Sequence, residues 1–205
     1  PTKSTGGYAD IDFFDYERAE FNTPVIVEQD ADGYWFHYTY EKNADGFSGR
    51  GSASVTSTNE QKYAGEKSLY CSEREASWNG ALHSLSSAVC EPGKSYSFSA
   101  NVLYTEGDPT DLFHFTLQYN DAAGEVQYEK IASETVKKGE WTQLKNTSFT
   151  IPEGASGMQI YIETDESTNS FYVDEMICAP DGVKIDGPAV EIEFTLGDLN
   201  DDGTI

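Results

Sequence analysis

The sequence predicts an all-β protein, a two-sheet β-sandwich of the jelly-roll type. Three observations predict it. Strand-length runs alternate with Gly, Pro, Asn and Asp clusters along most of the chain. Several runs alternate apolar and polar residues with a period of two, and no segment sustains a helical period over three turns.

The elements follow in order. Ser52 to Ser57 and Lys67 to Ser72 are short β-branched or aromatic runs closed by turn residues. Tyr96, Phe98, Ala100, Val102 and Tyr104 share one strand face, and Ser95, Ser97, Ser99 and Asn101 share the other, so this strand reads apolar inward and polar outward. Phe113, Phe115, Leu117 and Tyr119 repeat the alternation. Val126 to Ser133 and the stretch opening at Trp141, with Gln143 and Lys145 opposite Thr142 and Leu144, are less regular. Met158, Ile160 and Ile162 point one way, which sends Gln159, Tyr161 and Glu163 to the opposite face. Phe171 to Ile177 closes the set at about nine strands, the usual scale of a jelly roll.

Composition limits the function. The 205 residues carry 36 acidic against 13 basic side chains, a formal charge of −23. Nucleic acid phosphates and anionic lipid surfaces are repelled by such a chain, so a neutral partner is expected, with no nucleic acid and no membrane. No stretch approaches the ~20 apolar residues that span a bilayer. Cys71, Cys90 and Cys178 are too few for a disulfide scaffold or a zinc ribbon, and their bridging is open. His37, His83 and His114 form no metalloprotease helix, and no serine completes a nucleophile elbow, so no catalytic residue is assigned.

The face bearing Tyr161 and Glu163 is the chemically informative one. A pyranose presents C–H bonds that pack on an aromatic ring, and hydroxyls that pair with carboxylates, amides and guanidinium groups. An aromatic and a carboxylate two residues apart supply both. An ordinary solvated strand face has the same pattern. At the end of the chain, Asp198, Asn200 and Asp202 alternate and Gly203 follows, the opening positions of a calcium loop whose twelfth-position ligand is missing. A turn rich in Asn, Asp and Gly is the alternative.

The stretch Gly-Asp-Leu-Asn-Asp-Asp-Gly-Thr-Ile (197–205) resembles the start of a type I dockerin, which implies a fragment of a larger cellulosomal enzyme. Upstream, six pieces resemble, in order, a family-22 carbohydrate-binding module, a xylan-binding β-jelly roll. They are Gly-Phe-Ser-Gly-Arg-Gly-Ser-Ala-Ser-Val (46–55), Tyr-Ala-Gly-Glu-Lys-Ser-Leu (63–69), Ala-Ser-Trp-Asn-Gly-Ala (76–81), Glu-Pro-Gly-Lys-Ser-Tyr (91–96), Gly-Glu-Trp (139–141) through Ile-Pro-Glu-Gly (151–154), and Phe-Tyr-Val-Asp-Glu (171–175). The resemblance implies that Trp78 and Tyr161 stack on sugar, that Arg50 and Glu163 hydrogen-bond to it, that Tyr128 is the second stacking candidate, and that Asn79 and Gln118 line the same groove.

It further implies a structural calcium held by Glu41, the turn ending at Lys67, and Asp174. The ligand it implies is β-1,4-xylan or xylo-oligosaccharides, with mixed-linkage β-glucan weaker. A complete dockerin would engage a cohesin, in a secreted bacterial cellulosome. The expected organisation is an extension over 1–29, packed on the sandwich or left from an upstream domain; the jelly roll over 30–179; a connection over 180–196; and the dockerin start over 197–205. The module would hold an appended glycoside hydrolase or esterase on plant cell wall. The alternatives are a glycoside hydrolase acting on xylan, which needs two carboxylates astride one bond, and a spacer that binds nothing.

Overall fold

The computed structural model describes residues 27–186. Eleven strands form two antiparallel sheets: β1 (Phe36–Tyr38), β2 (Ser48–Arg50), β3 (Ser54–Thr58), β4 (Ser68–Ser72), β5 (Gly80–Ser84), β6 (Ser95–Leu103), β7 (Thr110–Asn120), β8 (Val126–Lys137), β9 (Thr142–Thr150), β10 (Ser156–Thr164) and β11 (Phe171–Pro180). One sheet runs β3-β4-β11-β6-β9, with β1 also paired to β11. The other runs β2-β5-β10-β7-β8. The all-β sandwich is therefore as expected. Three strands escaped the sequence reading, β1, β2 and β5, because three to five residues are too few to establish a period.

The core lies between the sheets. From the first sheet come Phe98, Ala100, Val102, Leu144 and Val173, and from the second Phe113, Phe115, Leu117, Ile160 and Ile162, all fully buried. Aromatic edges meet aromatic faces across it, as at Phe98–Phe115 and Phe113–Phe171. These inward rows are those the alternation assigned. Their polar opposites on β6 behave differently, since Ser97, Ser99 and Asn101 are also buried.

Ser97 Oγ donates to Thr147 O in β9 and Asn101 Nδ2 to Asp174 O in β11, and Ser99 is covered by the chain after β11. Residues 181–186 turn back over the outer face, where Ile185 packs with Ile177 and Ala179, and its carbonyl accepts from Ser99 Oγ at 2.8 Å and Gln143 Nε2 at 3.2 Å. Residues 180–186, the first seven of the expected connection, pack on the sandwich. The expectations for residues 1–26 and for Asp198, Asn200 and Asp202 fall outside the described residues.

The three cysteines are buried thiols, with Cys90 Sγ and Cys178 Sγ 3.5 Å apart. Burial pushes the Cys71 thiol up to about 12, which suits an inert core side chain. Where β1 joins β11, His37 Nε2 pairs with the buried Glu175 carboxylate.

Burial disfavours the His37 imidazolium, but the hydrogen bond and charge of Glu175 outweigh it, so His37 titrates above its ordinary value. A raised folded-state value means stability that is fully present below the unfolded value of ~6.5 and is lost as pH rises through the folded one. Melting temperatures recorded across this window should fall for the unaltered protein and stay flatter for His37→Gln. An equal fall in both would remove His37 as the source.

Candidate functional site

The second sheet turns its outer face to solvent, and register decides which side chains meet there. Residues paired across antiparallel strands lie on one face. Ser84, Gln159, Gln118 and Tyr128 form one row across β5-β10-β7-β8. The next row holds Ser48, Leu82, Tyr161, Thr116 and Lys130 across all five strands. Glu163 and His114 continue the third, with Arg50 at the edge opposite Gly80. A bulge between Phe115 and Thr116 absorbs Ile131 into the core, which keeps both Tyr128 and Lys130 on the groove side.

Arg50, Trp78, Tyr128, Lys130, Tyr161 and Glu163 line an open trough of about 450 Å³. Its centre is the Arg50 guanidinium. The Cζ atom lies 4.2 Å from the ring centre of Tyr161, 5.1 Å from Trp78 and 5.6 Å from Tyr128, all within cation–π range. Nη1 donates to Trp78 O at 2.6 Å, and Nη2 donates to Gln118 Oε1 at 3.2 Å. Gln118 Nε2 donates in turn to Gln159 Oε1 at 3.1 Å, which fixes the amide row along the floor.

The sequence-assigned residues separate by role. Trp78 and Tyr161 do share the trough, but their accessibility differs: Trp78 is 50% exposed and Tyr161 only 1%. The Tyr161 ring lies beneath Arg50, so it serves as floor. Burial and the neighbouring Glu163 charge push its hydroxyl far above the usual tyrosine value. Tyr128, at 56%, is the second open ring.

Glu163 is also buried, and its Oε1 accepts from Thr116 Oγ1 at 2.8 Å and Lys130 Nζ at 2.5 Å. Asn79 does not line the groove. It is 2% exposed, and its Oδ1 accepts from Ser52 Oγ and from the amides of Glu75 and Ala76, capping the turn that carries Trp78. Gly51 permits this packing: it has φ +68°, and a Cβ there would lie 2.0 Å from Asn79 Nδ2 and 2.7 Å from the Trp78 ring. Lys130 was missed, although it sits two residues beyond Tyr128 on the same strand face.

A second acidic arrangement lies elsewhere, on the β3-β4-β11 side of the sandwich. Glu41 Oε1 accepts from the amides of Glu66 (2.8 Å) and Lys67 (3.1 Å), and Asp174 Oδ2 from those of Tyr63 (2.8 Å) and Ala64 (3.2 Å). One turn is thus held from two chain segments far apart in sequence. Gly65 makes room, since a Cβ there would lie 2.1 Å from Glu41 Oε1.

Asp174 is fully buried, and burial pushes its carboxyl up to about 7. Asn101, which donates to Asp174 O, leaves its own Oδ1 without a partner. Among the described residues no three His, Cys, Asp or Glu side chains gather together, so an ion here would draw on carbonyl oxygens as well. The Asp174 carboxylate and the Asn101 amide oxygen are donors of the type a hard cation takes, while the 63–67 turn offers the two carboxylates its amide N–H groups.

Comparison with known proteins places this geometry. A family model described as a carbohydrate binding domain matches residues 27–168. Endo-1,4-beta-xylanase Y of Acetivibrio thermocellus is 39% identical over 179 residues, covering 86% of this chain and 17% of that protein. A xylanase/beta-glucanase of Ruminococcus flavefaciens is 37% identical over 161 residues, covering 78% and 20%. The chain thus spans about a fifth of the length of these curated relatives. The C-terminal family 22 carbohydrate binding module of a Clostridium thermocellum protein superposes with a TM-score of 0.76 at 37% identity, over 77% of this chain and 99% of that one. A xylan-binding domain of the same family gives 0.74 at 37% identity, over 76% and 99%.

The ion pair at the trough wall makes an asymmetric prediction. Lys130 is half exposed while Glu163 is buried, so removing the lysine strands a charge and removing the charge strands only an exposed lysine. In urea unfolding, Lys130→Met should destabilise the fold by about 1–3 kcal/mol and Glu163→Gln by less. The reverse order would show that Glu163 does not need its partner.

Proposed function

Given that this chain belongs to the carbohydrate-binding domain family, in its family 22 branch, we propose that it binds β-1,4-xylan and xylo-oligosaccharides. In this role it holds an appended glycoside hydrolase or esterase against plant cell wall. The observation that carries the reading is the pair of exposed rings, Trp78 and Tyr128, flanking one guanidinium in an open trough. The rings offer apolar faces to the C–H surface of a pyranose, and Arg50, Gln118, Lys130 and Glu163 surround them with donors and acceptors for the hydroxyl rim. Support comes from a two-module structure, a family 22 module with the catalytic module of a Clostridium thermocellum endo-1,4-beta-D-xylanase, complexed with xylohexaose, which matches at 26% identity and a TM-score of 0.66 over 75% of this chain and 30% of that one. A relative named xylanase/beta-glucanase supports β-glucan as a further ligand class, with mixed-linkage β-glucan proposed as the weaker one.

The module itself is non-catalytic. Hydrolysis needs a pair of carboxylates ~5–10 Å apart across the scissile bond. Glu163 is the one carboxylate among the residues lining the trough, and it is tied to Lys130 and Thr116. Binding without turnover assists the parent enzyme by raising its local concentration on substrate.

Calcium belongs to the same reading as a structural ion. Glu41, Asp174 and the Lys67 carbonyl would hold it, where it would supply positive charge to a buried carboxylate and tie β11 to the 63–67 turn. Residues 197–205 extend the proposal to a dockerin, whose complete form would bind a cohesin in an extracellular cellulosome, with Asp198, Asn200 and Asp202 as calcium ligands.

Two measurements test these proposals. Isothermal titration with xylohexaose should register binding, and Trp78→Ala should weaken it by about tenfold or more, the loss of one stacked ring. Unchanged affinity in the variant would remove Trp78 from the site and leave the spacer reading. Thermal melts should drop on chelation with EDTA and recover with calcium but not magnesium. A melting temperature indifferent to both would refute the structural ion.

A further inference from the structure

We propose that Arg74 is a positioning residue for the ligand: it fixes the backbone on both sides of Trp78 and so sets the height and tilt of the indole over the trough. This rests on the sugar-binding reading of that trough. Arg74 lies in the β4–β5 connection, buried, with its Cζ 5.0 Å from the ring centre of Phe171 in the core. It makes no direct contact with the groove. Nε donates to Asn79 O at 2.7 Å and Nη2 to Ser77 O at 2.6 Å, which are the carbonyls flanking Trp78.

The intervening carbonyl, Trp78 O, accepts from Arg50 Nη1 on the groove side. Three successive carbonyls are therefore gripped by two guanidinium groups, one beneath the turn and one above it. Arg74 also fastens the turn to the end of β10, through Nη2 to Thr164 Oγ1 at 2.6 Å, and to the β10–β11 connection, through Nη1 to Asn169 O at 2.5 Å. Thr164 N also donates to Ser77 O at 3.3 Å.

The choice of side chain is informative. Arg74 is buried, yet all four of these acceptors are neutral, three carbonyls and one hydroxyl. A structural ion pair would have opposed it with a carboxylate. A rigid planar fork instead addresses several acceptors at fixed angles, which a lysine ammonium on a flexible stem cannot reproduce. Trp78 is half exposed, with the Arg50 guanidinium against its ring and its own backbone to hold it against thermal motion, so an ordered turn spares the ligand part of the cost of ordering the ring.

A double-mutant cycle with two readouts tests this. Xylohexaose affinity is measured by titration calorimetry for the unaltered protein, Arg74→Lys, Trp78→Ala and the double variant, with near-UV circular dichroism confirming the fold. Arg74→Lys should weaken binding by about threefold to tenfold when Trp78 is present and leave it nearly unchanged in the Trp78→Ala background. In parallel, the ¹⁵N order parameter of the Trp78 indole N–H should fall in Arg74→Lys without ligand. If Arg74→Lys does not fold, Thr164→Val, which removes one acceptor and leaves the arginine, takes its place with a smaller shift in the same direction. Native affinity with an unchanged order parameter overturns the proposal, as does an equal loss in both backgrounds. If the unaltered protein fails to bind xylohexaose, the sugar reading fails by itself, and the order parameter alone then decides whether Arg74 holds the ring.

Discussion

The groove depends on where one positive charge is placed. Arg50 sits at the end of a three-residue edge strand, and its guanidinium reaches over Tyr161 to meet Trp78 on one side and Tyr128 on the other. In that position it performs three tasks. It covers the floor ring, it hydrogen-bonds the carbonyl of the residue that carries the indole, and it orders the Gln118–Gln159 amide row. A methylene chain ending in a point charge could not address a carbonyl, an amide and three ring faces at once; a planar delocalised fork can. The trough is thereby shaped before any ligand arrives, which limits the ordering cost that weakens recognition by mobile side chains.

Electrostatics on two length scales explains how so acidic a protein can present a binding face with positive groups at its centre. The formal charge of −23 is spread over the whole chain and is screened beyond a Debye length of about 8 Å in physiological salt. Within the trough, the local set is Arg50, Lys130 and Glu163. The buried acid is compensated by the adjacent lysine, so the wall is polar without being strongly anionic. A neutral polymer suits that surface, because its hydroxyls can both donate and accept.

Much of the fold was legible because alternation is a local property. The inward rows of β6, β7 and β10 were readable from the chain alone, and so was the outward direction of Tyr161 and Glu163. Accessibility was not legible, since direction on a strand does not say what a distant residue will place on top. Tyr161 is covered by Arg50, 111 positions away in the chain yet two strands away in the sheet. Ser99 is covered by the chain around Ile185. For the same reason Tyr128 takes the exposed role first given to Tyr161, and Asn79, expected in the groove, caps a turn behind it. The supporting arginine beneath Trp78 left no periodic trace at all, because its partners are backbone carbonyls.

The central claim is that a xylan chain lies on the face bearing Trp78. The protein has three tryptophans, Trp35, Trp78 and Trp141, and each gives a separate indole N–H signal in a ¹H–¹⁵N correlation spectrum. On titration with xylohexaose the account predicts that the Trp78 signal shifts progressively to saturation while those of Trp35 and Trp141 stay in place. Movement of either of the other two with Trp78 unmoved would put the ligand on another face and contradict it.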